Sequence, residues 1–132
     1  TWIDFEITEN SAMNSGTIME ELFTALSGLG VQISVDDFGT GYSSLSYIKR
    51  FDIDRIKIAK ELIDHIVENE DERLIIKAII LMSKGMGLST IAEGVECKEQ
   101  LDILSSLGCD AIQGYYFSKP LTKEVFEEKY LS

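Results

Sequence analysis

The sequence predicts an α/β chain of parallel βα units, and three observations predict it. Short apolar runs of strand type recur along the 132 residues. Runs of helical period separate them at intervals of roughly 20 to 35 residues. A polar or charged residue stands at or near the carboxyl end of each strand run: Glu6, Asp36 with Asp37, Lys57, Glu93 and Gln113. Five successive cases fit the rule that parallel α/β enzymes gather their site at the carboxyl edge of the sheet. Two architectures obey that rule. A doubly wound sheet closes with five strands in about this length, whereas a (β/α)8 barrel needs eight strands and roughly 250 residues. Length alone favours the doubly wound sheet. Against it, the chain opens directly on a strand bearing an acidic motif, as a piece of a longer sequence would.

Taken in order, Ile3 to Ile7 alternates apolar with acidic residues, a half-buried strand that runs into EITE at Glu6 to Glu9. Thr17 to Leu26 carries Ile18, Leu22, Phe23 and Leu26 at helical spacing, and Gly28 with Gly30 ends it. Val31 to Val35 is the second strand. Arg55 to Ala59 is the third, with Lys57 inside it, and Lys60 to Val67 is a short helix. A longer helix begins at Asp71, with Leu74, Ile75, Ala78, Ile79 and Met82 as its inward face, and it ends near Gly85 and Gly87. Leu88 to Ala92 is the fourth strand, closed by Glu93. Lys98 to Leu107 is a helix stopped by Gly108, Ala111 to Phe117 is the fifth strand, and Pro120 with Thr122 introduces a last amphipathic helix through Val125, Phe126 and Tyr130.

The chemistry concentrates in VQISVDDFGTGYSSL, Val31 to Leu45. Neighbouring residues on a regular strand point to opposite faces. Asp36 and Asp37 therefore share one site only if the strand ends at Asp36 and the following turn re-aims Asp37. Gly39 and Gly41 permit such a turn, and Leu45, Tyr47 and Ile48 suggest a short helix after it. Taken alone, an acidic pair before a glycine loop is also an ordinary turn with a helix cap.

Composition sets limits. With 45% hydrophobic residues the chain builds a core. Twenty-three acidic against twelve basic residues give a net charge of -11, which disfavours DNA as a partner and is compatible with phosphate chemistry only through divalent cations. Cys97 and Cys109 form no CxxC pair and read as reduced core thiols. The longest apolar stretch, Ala78 to Met82, cannot span a bilayer, and no signal pattern starts at Thr1, so a cytoplasmic chain without membrane contact is expected.

These residues resemble the EAL-type phosphodiesterases of bacteria, which hydrolyse the second messenger cyclic di-GMP to linear pGpG. The motifs that carry the resemblance are EITE, DDFGTGYSSL at Asp36 to Leu45, the lysine of IKIAK at Lys57, AEGVE at Ala92 to Glu96 and QGYYFSKP at Gln113 to Pro120. The resemblance implies a TIM-like (β/α)8 barrel of which residues 1–132 are a partial EAL domain, its carboxyl-terminal five strands. The Glu-Ala-Leu motif and an asparagine ligand that lie upstream in relatives are not found in this sequence, and Ala59 stands where relatives usually carry aspartate.

By the same resemblance Glu6, Asp36 and Asp37 hold Mg2+ or Mn2+, hard ions that prefer carboxylate oxygens. Lys57 is catalytic and positions the attacking water, and Glu93 works with it. Gln113 orients the substrate, and Phe117 and Pro120 would line a guanine pocket. Glu9 anchors the glycine loop, an acid near a helix cap being the other reading. The parent protein is then expected to be an enzyme acting on cyclic di-GMP, with the isolated piece inactive. The alternative is a degenerate EAL module that senses cyclic di-GMP or docks a protein without hydrolysis. Open barrel edges predict that the isolated chain associates as a homodimer, swaps elements or needs its missing half.

Overall fold

The computed structural model of the chain describes residues 4–8, 17–38 and 53–131. Five strands form one sheet: β1 (Asp4–Thr8), β2 (Gln32–Phe38), β3 (Arg55–Ile58), β4 (Ser89–Ala92) and β5 (Ala111–Ile112). All neighbours pair parallel, in the order β1-β2-β3-β4-β5. A doubly wound sheet reverses direction at a switch point. No reversal occurs in this order, so the architecture that length favoured is set aside. Each strand adds beside the last, as in the wall of a barrel.

The helices are α1 (Thr17–Gly28), α2 (Lys60–Ile63), α3 (Glu70–Gly85), α4 (Lys98–Leu107) and α5 (Lys123–Phe126), the last running into a π-type turn over Glu127–Leu131. Asn69 starts α3 by accepting the Asp71 and Glu72 N–H groups, which sets its first residue at Glu70. Gly108, in the left-handed region at φ 91°, ends α4. Phe23, Ile33, Val35, Ile56, Ile58, Ile63, Ile76, Ile80 and Leu104 are buried together between sheet and helices. β2 and β3 are buried on both faces through Ile33 to Val35 and Ile56 to Ile58, as central parallel strands are.

Five expectations change. The short helix expected over Lys60 to Val67 ends at Ile63. The inward face of α3 is Ile76, Ile79, Ile80 and Ser83, while Leu74 and Ile75 point to solvent. This helix is apolar on two sides, so its period alone does not choose. Each fully buried isoleucine is worth about 1.5–3 kcal/mol over an exposed one, and the row of three wins. β2 continues through Asp36 and Asp37 to Phe38 instead of stopping at Asp36. β5 spans only Ala111–Ile112, because Gly114 turns the chain under Val95. The terminal helix buries none of Val125, Phe126 or Tyr130. The glycine loop after Phe38 and the short helix around Leu45 lie outside the described residues.

Candidate active site at the carboxyl edge

Asp36 and Asp37 face one site although they are neighbours on a strand, and the register shows how. Val35 pairs with Ile56 and Phe38 with Ile58, so β2 holds one more residue than β3 between these pairs. That is a bulge. Asp37 adopts φ 53°, a left-handed conformation that aspartate tolerates better than most residues. The re-aiming that a turn was expected to supply occurs inside the strand. Glu93, directly after β4, joins the pair: one oxygen from each of Asp36, Asp37 and Glu93 lies within 4.8 Å of the others.

Lys57 lies in β3, between the acids contributed by its neighbours. It is 3% exposed. Its Nζ donates to Glu6 Oε1 of β1 and sits 3.3 Å from Glu93 Oε1. Burial alone would lower the lysine pKa; the Glu6 hydrogen bond and the charges of Glu6, Glu93 and Asp36 outweigh it and raise the value. Lys57 therefore stays protonated at neutral pH. Glu93 responds in the opposite way to a carboxylate at the surface. Burial, then the Asp36 hydrogen bond and charge, push its pKa up to about 8. Asp36 is lowered, chiefly by accepting that hydrogen bond from Glu93. The two acids share a proton that resides on Glu93. Asp37 is raised by burial and by the Asp36 charge.

Gln113 is exposed, and its backbone closes the neighbouring loops: its N–H donates to Ala92 O at 2.8 Å and its carbonyl accepts from Val95 N at 3.2 Å. Phe117 is exposed and stacks edge-on with Tyr116. Pro120 lines an open cavity of about 350 Å³ with Ser118, Lys119, Leu121, Phe126 and Tyr130. Glu9 lies outside the described residues. Thus Glu6, Asp36, Asp37, Lys57 and Glu93 converge, and Glu6 enters through Lys57 while Glu93 stands with the aspartates.

Two supporting residues escaped the sequence reading. Gly94, at φ 73°, leaves room for the stem of Lys60, whose Nζ lies 2.6 Å from Asp64 and 3.5 Å from Glu96. That packing fixes the loop just after Glu93. Gly114 has no room for a Cβ beside the Val95 backbone. Both glycines sit within AEGVE and QGY, so the signal was there, but a close approach between loops is not visible along one chain.

The arrangement suits a divalent cation. Three hard oxygen donors converge, and burial with the Asp36 charge keeps a proton on one of them, Glu93, despite the Lys57 ammonium 3.3 Å away. A family model described as EAL domain matches residues 1–120. The chain is 44% identical over 126 residues to the signaling protein YkoW of Bacillus subtilis (strain 168), covering 96% of this chain and 16% of YkoW. The structure of PaMucR phosphodiesterase in complex with c-di-GMP is similar at a TM-score of 0.87 and 37% identity, over 93% of this chain and 50% of that one. A manganese and cyclic di-GMP complex of Klebsiella pneumoniae BlrP1 matches at a TM-score of 0.83 and 33% identity, over 89% of this chain and 30% of that one. The chain thus spans about one sixth of the length of YkoW. No helix among the described residues is long and apolar enough to cross a membrane.

Proposed function

This chain belongs to the EAL domain family, and on that premise we propose that its carboxyl-edge site serves metal-dependent hydrolysis of cyclic di-GMP to linear pGpG. Residues 1–132 are taken as the carboxyl-terminal portion of such a domain. The observation that carries the reading is the convergence of Asp36, Asp37 and Glu93 beside a buried, protonated Lys57.

Asp36, Asp37 and Glu93 would hold a divalent ion, Mg2+ or Mn2+, with Glu6 a further ligand at the same edge. Such an ion supplies the positive charge that lets a phosphodiester approach these acids and makes water acidic enough to attack at neutral pH. In the hydrolysis a P–O bond to water forms, a P–O bond to the ribose oxygen breaks, and that oxygen takes up a proton. Lys57 contributes fixed charge and a hydrogen-bond direction. Being protonated, it orients water or a phosphoryl oxygen and does not act as a base. Glu6, from β1 two strands away, and Glu93, directly after the neighbouring β4, hold its ammonium in place. Gln113, Phe117 and Pro120 are assigned to substrate contact after β5.

Incubation with cyclic di-GMP in Mg2+ or Mn2+, with Ca2+ as control, tests the reading for this chain and an upstream-extended form of it. Appearance of pGpG in either form supports it. Tight nucleotide binding without product in both would transfer the site to the binding module that Ala59, buried at the amino end of α2, leaves in view.

A further inference from the structure

The loop that carries Glu93 away from β4 is tied to the unit that carries Lys57 by backbone, by packing and by one buried side chain. The Glu93 N–H donates to Ile58 O at 3.0 Å, where β3 ends. Gly94 lies over the stem of Lys60 at the start of α2. The buried side chain is Gln100, which neither the motifs nor the chemistry proposed above uses. It stands in the first turn of α4 and is 7% exposed. Its Oε1 accepts the Glu96 N–H at 2.8 Å, and its Nε2 donates to Ile63 O at 3.4 Å, where α2 ends.

A glutamine in the first turn of a helix ordinarily reaches back to the N–H of the N-cap residue and serves its own helix alone. Here the N-cap is Cys97, and Gln100 reaches past it, to the loop with one end and to a different βα unit with the other. A buried amide costs free energy unless both ends are satisfied. An apolar side chain of the same length would fill the space without that demand. The amide alone supplies an acceptor to one loop and a donor to the other, and its two partners fix which way it faces.

The consequence falls on Glu93. Its carboxyl sits 3.3 Å from Lys57 Nζ and beside Asp36 and Asp37, yet β4 ends one residue earlier, at Ala92. Past the end of the strand, the backbone of Glu93 depends on what holds residues 94 to 96. Gln100 fastens Glu96 to the helix that follows Lys57, so the spacing of Glu93 and Lys57 is held across the loops as well as along the strands.

We propose that Gln100 is a positioning residue for Glu93, an amide clamp between the β4–α4 loop and α2 that keeps the Glu93 carboxyl beside Lys57 and the aspartates. The proposal rests on the reading of this edge as a metal site, and its test separates the two.

Calorimetric titration of the full chain with Mn2+ is the first arm, using Gln100→Met, Gln100→Glu and, as a control at the other edge of the sheet, Asp110→Ala. Gln100→Met is expected to weaken Mn2+ binding by about 10- to 100-fold, as loss of a partner that orients a ligand does. Gln100→Glu keeps the acceptor but sets a carboxylate oxygen against Ile63 O, and it should weaken binding too. Asp110→Ala should not. In a Glu93→Gln background, Gln100→Met should cost less than about twofold more, because Gln100 acts through Glu93. Amide hydrogen exchange of the metal-free chain is the second arm. Gln100→Met should speed exchange of the Glu93 N–H by about tenfold or more and leave the Thr90 N–H as it is, with Asp110→Ala doing the reverse. A wild type that binds no Mn2+ would remove the metal reading, and the exchange pattern alone would then decide the clamp. Unchanged Mn2+ affinity in both Gln100 variants, a full loss repeated in the Glu93→Gln background, or a Glu93 N–H that exchanges no faster would each overturn the proposal.

Discussion

At the amino end of the sheet, Asp54 Oδ2 accepts the Ile33 N–H at 2.8 Å and Asp110 Oδ2 accepts the Thr90 N–H at 2.9 Å, while Asp4 accepts the Ser34 hydroxyl at 2.6 Å. At the carboxyl end, Asp36 and Glu93 hydrogen-bond each other over a shared proton, and Glu6 and Glu93 both turn to one lysine. The residue types are the same; the ends of the strands differ. Parallel strands begin together and end together, so one edge of the sheet offers unpaired N–H groups and the other offers carbonyls. At the first edge Asp54 and Asp110 find donors in the backbone, and Asp4 finds a hydroxyl. Among the described residues, acids at the second meet one another and Lys57, with the Asp37 N–H donating to Asp36 at 2.9 Å, and they remain available to a cation.

The largest effect should come from removing the charge at the centre of the carboxyl edge. Lys57→Met is expected to lower cyclic di-GMP turnover by about a hundredfold or more in whichever form of the chain is active. Turnover at the parental rate would separate Lys57 from the chemistry. Next comes metal affinity. Loss of a partner that merely orients a ligand costs about 10- to 100-fold, so Asp37→Asn should weaken Mn2+ binding by at least about a hundredfold in calorimetric titration. Asparagine tolerates the left-handed backbone at 37, so the metal-free fold should not suffer. Asp110→Ala at the other edge should do the reverse. It leaves the buried Thr90 N–H without its acceptor, a cost of about 1–3 kcal/mol in urea unfolding, with Mn2+ affinity unchanged. If both variants lost metal binding and neither lost stability, the contrast between the edges would fail.

How much of this was legible in the sequence follows from how local each cause is. The five strands and the residues they deliver were legible because alternation and β-branched runs are written along the chain. The burial of Lys57 was legible from Ile56 and Ile58 on either side of it. The bulge at Asp36–Asp37 was not, because it is a mismatch of register with β3, set some twenty residues away. The truncation of β5 depends on Gly114 fitting under Val95, a contact between loops. The docked face of α3 was misread because Leu74, Ile75 and Ala78 are as apolar as the residues that are buried, and only the sheet decides between them. Ligand convergence was half legible. The motifs placed Glu93 near Lys57, but its place beside Asp36 required the bulge.

The smallest effect is a slope, and it probes the carboxyl edge without any ligand. In the folded, metal-free chain Glu93 is raised from 4.5 to about 8, so between those values the native state holds a proton that the unfolded state has released. Stability then falls as pH rises. The contribution of Glu93 is fully present below its unfolded value and is lost as pH passes through about 8. Asp36, lowered from 3.8, acts in the opposite sense and only at the acid end; Lys57, raised from 10.5, acts only at the alkaline end. His65, raised by its hydrogen bond to Glu68, tilts the profile the same way as Glu93, but it does so whether or not Glu93 is present. Urea unfolding in EDTA from pH 5 to pH 8 should therefore show a falling profile for the wild type and a flatter one for Glu93→Gln, the difference between them belonging to Glu93. Parallel profiles would mean that the carboxyl-edge acids find their protons and partners as readily as Asp54 and Asp110 find theirs, and the distinction between the two edges would lose its physical basis.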